Sequence, residues 1–231
     1  MGTTFATLLD FCTNLINKPK LQKAMKKGIF IVVDGIDGSG KSEIVKMLHN
    51  YLFSKHKKYR ILTTREPTHG KYGSRIRQML RQEKKPESSN KELMELFVKD
   101  RREHLKNTIE PFLKNSNKNE LNIVLCDRYY YSTIAFQSAQ GLEMKDLIEK
   151  NKSFRKPDIA FILDVKPSIA LERISHRQKE KFEQLRFMER IRANFLKLPK
   201  LLNDNIKIID SNRSLNEVFE SIKKEVDKIL S

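Results

Sequence analysis

Eight consecutive residues, Gly35-Ile36-Asp37-Gly38-Ser39-Gly40-Lys41-Ser42, fit the pattern GxxxxGK[ST], a spacing suited to gripping phosphate. Glycines at these positions let backbone N–H groups curl around phosphate oxygens, and a helix starting at the end of the loop adds partial positive charge. Lys41 is expected to reach the β- and γ-phosphates of ATP, and the Ser42 hydroxyl to bind Mg²⁺. The motif requires a strand before it and a helix after it. Ile29 to Val33 is a continuous run with β-branched residues, and the stretch from Ser42 to about Ser54 carries helical spacing, so both requirements are met.

The loop identifies the phosphoryl donor but leaves the reaction open. A GTPase needs an NKxD guanine reader, and none of Asn17-Lys18, Asn90-Lys91 or Asn151-Lys152 has Asp two positions after its lysine. A motor ATPase ends a later strand in paired acids, whereas the run Asn122 to Cys126 ends in Asp127-Arg128. One carboxylate beside one guanidinium suits a metal-bound donor phosphate facing an acceptor phosphate. Asp127 therefore joins Ser42 as an expected metal contact.

These residues must be held by a regular scaffold. Buried strands are expected at Ile29–Val33, Arg60–Thr64, Asn122–Cys126, Asp158–Val165 and Ile206–Ile209, each short and bounded by turn or polar residues. Helices are expected near Ser42–Ser54, Tyr72–Arg81, Lys91–Lys114, Ser132–Asn151, Ser168–Phe195 with a polar interruption, and Ser214–Leu230. Alternation of this kind gives a three-layer α/β fold, a five-stranded parallel sheet flanked by helices, with ligands at the carboxyl ends of the strands. Residues 1–27 stand apart as an N-terminal extension: Phe5, Leu8, Leu9, Cys12, Leu15 and Ile16 have amphipathic helical spacing, followed by a basic stretch containing Pro19. The main domain is expected over 28–231.

With the phosphate loop, Arg65-Glu66-Pro67 after the second strand, and Asp127-Arg128-Tyr129 followed by Ser132-Thr133-Ile134-Ala135-Phe136-Gln137, the chain resembles the thymidylate kinase family from Gly28 to its C-terminus. Leu96-Phe97 and Arg101 fall between these motifs in the family's order. The resemblance implies transfer of the γ-phosphoryl group of Mg-ATP to dTMP, giving dTDP, by a homodimer with a mobile lid. It implies that Phe97 stacks on thymine, that Arg101, Thr133 and Gln137 contact the base, and that Phe136, often Tyr in the family, packs near the sugar. Arg77 and Arg128 are implied as acceptor-phosphate contacts, with Arg65 close by. Asp37 is implied near the sugar and the transferring phosphates, and Glu66 in the neighbouring wall. Some members carry an arginine inside the loop where this chain has Gly38. Positive charge for the transition state is then expected from the lid-like segment with Arg173, His176, Arg177, Lys179 and Lys181, above all Arg173 and Arg177. Thr68-His69-Gly70 replaces a glycine pair that often follows the REP triplet.

Composition bounds the alternatives. A chain of 231 residues supports one α/β domain, and no run approaches the length of a membrane span. Cys12 and Cys126 lie outside any CxxC spacing, which fits a reducing, cytoplasmic setting and no disulfide scaffold. The net charge of +17 attracts phosphates of any kind. Basic residues are spread among acids and no nucleic-acid motif occurs, so a solvated basic surface is favoured over nucleic-acid binding. A kinase for another nucleoside monophosphate, and a nucleic-acid-associated P-loop ATPase, are the alternative readings.

Overall fold

The computed structural model describes residues 28–82, 90–115, 117, 119–174 and 181–231, the side chains of 181–184 excepted. The extension at 1–27 therefore lies outside the described residues, as do His176, Arg177 and Lys179. Five parallel strands form one sheet in the order β2-β3-β1-β4-β5. They are β1 (Gly28–Gly35), β2 (Tyr59–Arg65), β3 (Leu121–Asp127), β4 (Ile159–Asp164) and β5 (Ile206–Asp210). Successive β1 side chains point to opposite faces, and both faces are covered. Ile29, Ile31 and Val33 join a core with Ile44, Leu48 and Leu52 of α1 (Lys41–Lys55) and Val218, Ile222 and Val226 of α9 (Leu215–Leu230). Phe30 and Val32 join the opposite core, with Val98 of α3 (Asn90–His104), Ile134 of α5 (Tyr130–Ala139) and Ile191 and Phe195 of α8 (Lys181–Leu201).

The expected strands are all present, and parallel register aligns their carboxyl ends. Arg65 pairs with Asp127, Asp127 with Val33, and Leu163 with Gly35. Strand β1 has β3 on one side and β4 on the other, so the crevice where crossovers diverge opens beyond Gly35, where the phosphate loop begins.

Three helices depart from expectation. The stretch Ser132–Asn151 is two helices, α5 and α6 (Met144–Asn151), because Gly141 takes φ +94° and Leu142 N–H turns back to the Gln137 carbonyl at 3.1 Å. The stretch Lys91–Lys114 widens into a π turn at Leu105–Ile109 before α4 (Glu110–Lys114). Pro111 lacks an N–H, and its ring crowds the carbonyl four residues back in regular α geometry; a wider turn relieves both problems. Beyond β4, α7 (Pro167–Ile174) and α8 flank 175–180, and α8 continues past Phe195 to Leu201 with Pro199 in its last turn. Helix α2 (Lys71–Gln82) follows expectation. So does α9, where Ser214 and Glu217 form a reciprocal capping box, worth about 1 kcal/mol.

Candidate active site

The phosphate loop wraps the end of β1 and enters α1 at Gly40, whose φ of +92° suits glycine. A Cβ at Gly38 would sit 2.3 Å from the Ala170 carbonyl oxygen, and φ there is +77°. Helix α7 thus closes over Gly38 so tightly that this loop position has no room for a side chain. Arg173 of the same helix donates to the carbonyls of Gly38 and Ser211, both at 3.2 Å. Lys41 is 7% exposed and its Nζ donates to the Ile36 carbonyl at 2.7 Å. Burial, with Arg128 nearby, pulls its pKa down to about 8 from 10.5.

Beside the loop, Ser42 Oγ donates to Asp127 Oδ2 at 2.8 Å, while Asp127 Oδ1 is buried without a hydrogen-bond partner. Arg128 sits at φ +71°, unusual for a residue with a side chain. Its guanidinium donates to Asp37 and to Ser132 Oγ (3.0 Å), and stacks over the Phe136 ring at 5.4 Å. Asp34 secures this backbone. Fully buried at the end of β1, its carboxylate accepts from the N–H groups of Gly35 (2.8 Å), Tyr129 (3.0 Å) and Ser132 (3.0 Å) and from Ser132 Oγ (2.6 Å). Burial pushes the Asp34 pKa up against the pull of Arg128 and these donors.

A cavity of about 530 Å³ extends from Asp37 and Arg128 and is lined by Arg65, Glu66, Arg77, Phe97, Arg101, Thr133, Phe136 and Gln137. Every residue that the family resemblance implies for the acceptor lies on this one surface. Arg77 is anchored by donation to the Pro67 carbonyl at 3.0 Å and the Thr68 carbonyl at 2.5 Å. Arg101 is more deeply held than an i, i+4 partner of Phe97 need be: it is 1% exposed and donates to Asn151 Oδ1 at 2.7 Å and Thr133 Oγ1 at 2.9 Å. Glu66 Oε2 lies 2.8 Å from its Nη2. A second cavity, of about 820 Å³, lies across the end of β2, with Ser42, Thr64, His104 and Asp127 in its walls and Arg65 shared with the first.

Sequence reasoning missed Asp34, His104 and Asn151 as parts of this architecture. Asp34 reads as half of an Asp-Gly turn; the available signal was an acid closing an otherwise apolar buried run. His104 sits three residues beyond Arg101 on the same helical face, a spacing that pointed to the cavity. Asn151 offered no local signal, since it reaches Arg101 only through the break at Gly141. Among the described residues no cluster of three His, Cys, Asp or Glu side chains could hold a metal, and no helix is long and apolar enough to cross a membrane.

A doubly wound parallel sheet with a phosphate loop at its switch point and an arginine-lined cavity beside it defines an ATP-dependent P-loop nucleoside monophosphate kinase. Residues 33–222 match the family model described as thymidylate kinase. The chain is 44% identical over 200 residues to a thymidylate kinase of Leptospira interrogans, covering 84% of this chain and 92% of the relative. It is 34% identical over 205 residues to a probable thymidylate kinase of Archaeoglobus fulgidus, covering 88% and 97%. A thymidylate kinase of Shouchella clausii is 34% identical over 215 residues, covering 89% and 98%. The chain belongs to the thymidylate kinase family, whose members phosphorylate dTMP to dTDP with ATP.

The packing predicts unequal costs for two neighbouring aspartates. Asp34→Ala orphans buried donors and is expected to lower unfolding free energy by about 3–5 kcal/mol in urea denaturation. Asp37→Ala, at a carboxylate that is 59% exposed, is expected to cost no more than about 1 kcal/mol. Equal losses would contradict the assignment of Asp34 as the anchor.

Proposed function

We propose that this chain is a dTMP kinase in which Gly35–Ser42 bind the phosphates of Mg-ATP and the cavity beyond Arg128 binds dTMP. The observation that carries this reading is the meeting of the two regions at Asp37 and Arg128, which border the loop and the cavity alike. Phosphoryl transfer is mainly positioning and charge stabilisation, so the required parts are cations and alignment. Lys41 neutralises the β- and γ-phosphates, Arg128 lies between donor and acceptor phosphates, and Arg77 with Arg65 nearby grips the acceptor phosphate. Asp37 fixes the guanidinium of Arg128.

Mg²⁺ suits the pair Ser42 and Asp127. Asp127 Oδ1 is a buried oxygen with no hydrogen-bond partner beside a hydroxyl, and magnesium on such sites takes one or two protein oxygens and completes its shell with phosphates and water. When bound it would offset the negative charge of the phosphates. Arg173 acts on the loop through Gly38, so Arg177 is the residue proposed to bring lid charge to the transferring group. The lid excludes water from it.

Two hydrogen-bond polarities favour thymine. Thr133 Oγ1 accepts from Arg101, leaving its own proton to donate. Gln137 donates Nε2–H to Gln140 Oε1 at 2.7 Å, leaving its carbonyl oxygen to accept. Donor beside acceptor complements O4 and N3–H of thymine and opposes N4–H₂ and N3 of cytosine. Phe97 offers the stacking face and Phe136 the wall beside the sugar. A homodimer in the cytoplasm completes the proposal, on family membership and on cysteine usage.

The test is a coupled ADP-release assay with dTMP, dUMP, dCMP, dGMP and AMP. We expect dTMP to be preferred over dCMP by about 10²-fold or more in kcat/KM, because mismatched polarity leaves buried groups unpaired. A preference for dCMP or a purine acceptor would contradict the reading.

Lys41 supplies a second prediction. Below pH 8 the side chain is already charged; above its pKa of about 8, binding of a polyphosphate must take up a proton to restore the ammonium. Mg-ATP affinity should therefore be flat below pH 8 and fall about tenfold per pH unit above it. Calorimetry at pH 9 in buffers of different ionisation enthalpy should register the uptake of about one proton.

A further inference from the structure

Behind the acceptor cavity runs a buried polar relay that the proposed roles do not require. Thr64 Oγ1 lies 2.7 Å from His104 Nε2, and His104 Nδ1 lies 3.1 Å from Glu66 Oε1. Glu66 Oε2 lies 2.8 Å from Arg101 Nη2, and that same nitrogen donates to Thr133 Oγ1. The side chains of His104, Glu66 and Arg101 are each at most 3% exposed.

The relay is incomplete in an informative way. A carboxylate and a guanidinium this close ordinarily form a two-pronged pair, both oxygens against two nitrogens. Here Glu66 gives Oε1 to His104 instead, and both Arg101 Nε and Glu66 Oε2 are buried without an aligned hydrogen bond. Leaving such atoms unpaired is costly, so something holds Glu66 away from the fork. The His104 N–H on Oε1 is the contact that does so, and Thr64 fixes the ring from the other side.

We infer that His104 is a positioning residue for base recognition: by holding one oxygen of Glu66, it keeps Arg101 on Thr133 and so fixes Thr133 as a donor toward the acceptor base. This rests on the dTMP-kinase reading. Without the His104 N–H, Glu66 can rotate to pair both oxygens with Arg101. Pairing through Nε and Nη2 turns the guanidinium toward Glu66 and draws the second Nη2–H out of line with Thr133, whose hydroxyl is then free to present either polarity, and discrimination between thymine and cytosine weakens.

Two replacements separate this role from simple packing. An Asn amide at 104 matches Nδ1 and can still donate to Glu66, whereas a Gln amide matches Nε2 and reaches toward Thr64. His104→Asn, which loses only the Thr64 contact, is expected to raise the dTMP KM about two- to threefold. His104→Gln is expected to raise it about tenfold, the order of one lost hydrogen bond, and to erode the preference for dTMP over dCMP, with the ATP KM unchanged. Equal losses in both variants, or a rise in ATP KM alongside, would mark a packing role and overturn the inference. So would an unaltered dTMP KM in His104→Gln.

Wild-type turnover of dTMP tests the acceptor reading separately. Independently of acceptor, a crystal structure of His104→Gln should have both Glu66 oxygens on Arg101; an unchanged Glu66 conformation would overturn the inference. Should neither variant fold, Thr64→Val removes the outer anchor of the ring. It is expected to raise the dTMP KM about two- to fivefold, and no change would count against the relay.

Discussion

The hydrogen bonds to the buried Asp34 carboxylate are the contact on which the site depends. One side chain at the end of β1 accepts from the first residue after it and from the backbone and hydroxyl groups that follow β3. The phosphate loop starts at Gly35, and Asp127 and Arg128 lie at the end of β3. A single carboxylate therefore ties the residues proposed for the donor to those proposed for the metal and the acceptor phosphate. An ionised group removed from water is unfavourable unless it is fully hydrogen-bonded, so the same four donors that stabilise Asp34 also leave the junction with one arrangement. Arg128 is held at positive φ within that junction, a conformation tolerated only where surroundings over-determine it.

Parallel register does the rest of the alignment. Residues matched across β2, β3 and β1 end on one line, which is why Arg65, Asp127 and the loop reach a common crevice although they are far apart in sequence. The helices behind that line differ in what they supply. Helix α7 caps the loop at Gly38, and the Arg173 bonds hold it there. Helices α3 and α5 face each other across the cavity, with Arg101 donating to Thr133 between them. Arg65, Arg77, Arg101 and Arg128 border one cavity, and low-dielectric walls strengthen their field on a phosphorylated ligand.

Much of this was legible in the sequence because the signals are local. A β-branched run, a glycine-rich turn and a helical stretch fix β1, the loop and α1 within one continuous segment, and the strands announced themselves as short apolar runs. Family motifs brought Arg65, Phe97, Arg128, Thr133 and Gln137 to one surface, and the cavity gathers the same residues. What stayed hidden depends on contacts between distant segments. The break at Gly141, which lets Asn151 reach Arg101, was masked by helical periodicity on both sides. The π turn before Pro111 follows from a backbone clash that residue patterns register only weakly. Asp34 looked like turn punctuation because three of its four donors come from residues nearly a hundred positions away. Arg101 was expected to be turned to the ligand, and its engagement by Glu66, Thr133 and Asn151 could not be inferred without knowing which helices meet.

The loop and the cavity are proposed as two halves of a single site, joined at Asp37 and Arg128. Titration with a dinucleotide in which adenosine and thymidine are joined through a five-phosphate chain tests it directly, since such a ligand must span both halves at once. Binding at least about 10²-fold tighter than that of dTMP alone is expected, since the second contact becomes intramolecular, with the gain lost in Arg128→Ala. Binding no tighter than that of ATP alone, or a gain indifferent to Arg128, would contradict it.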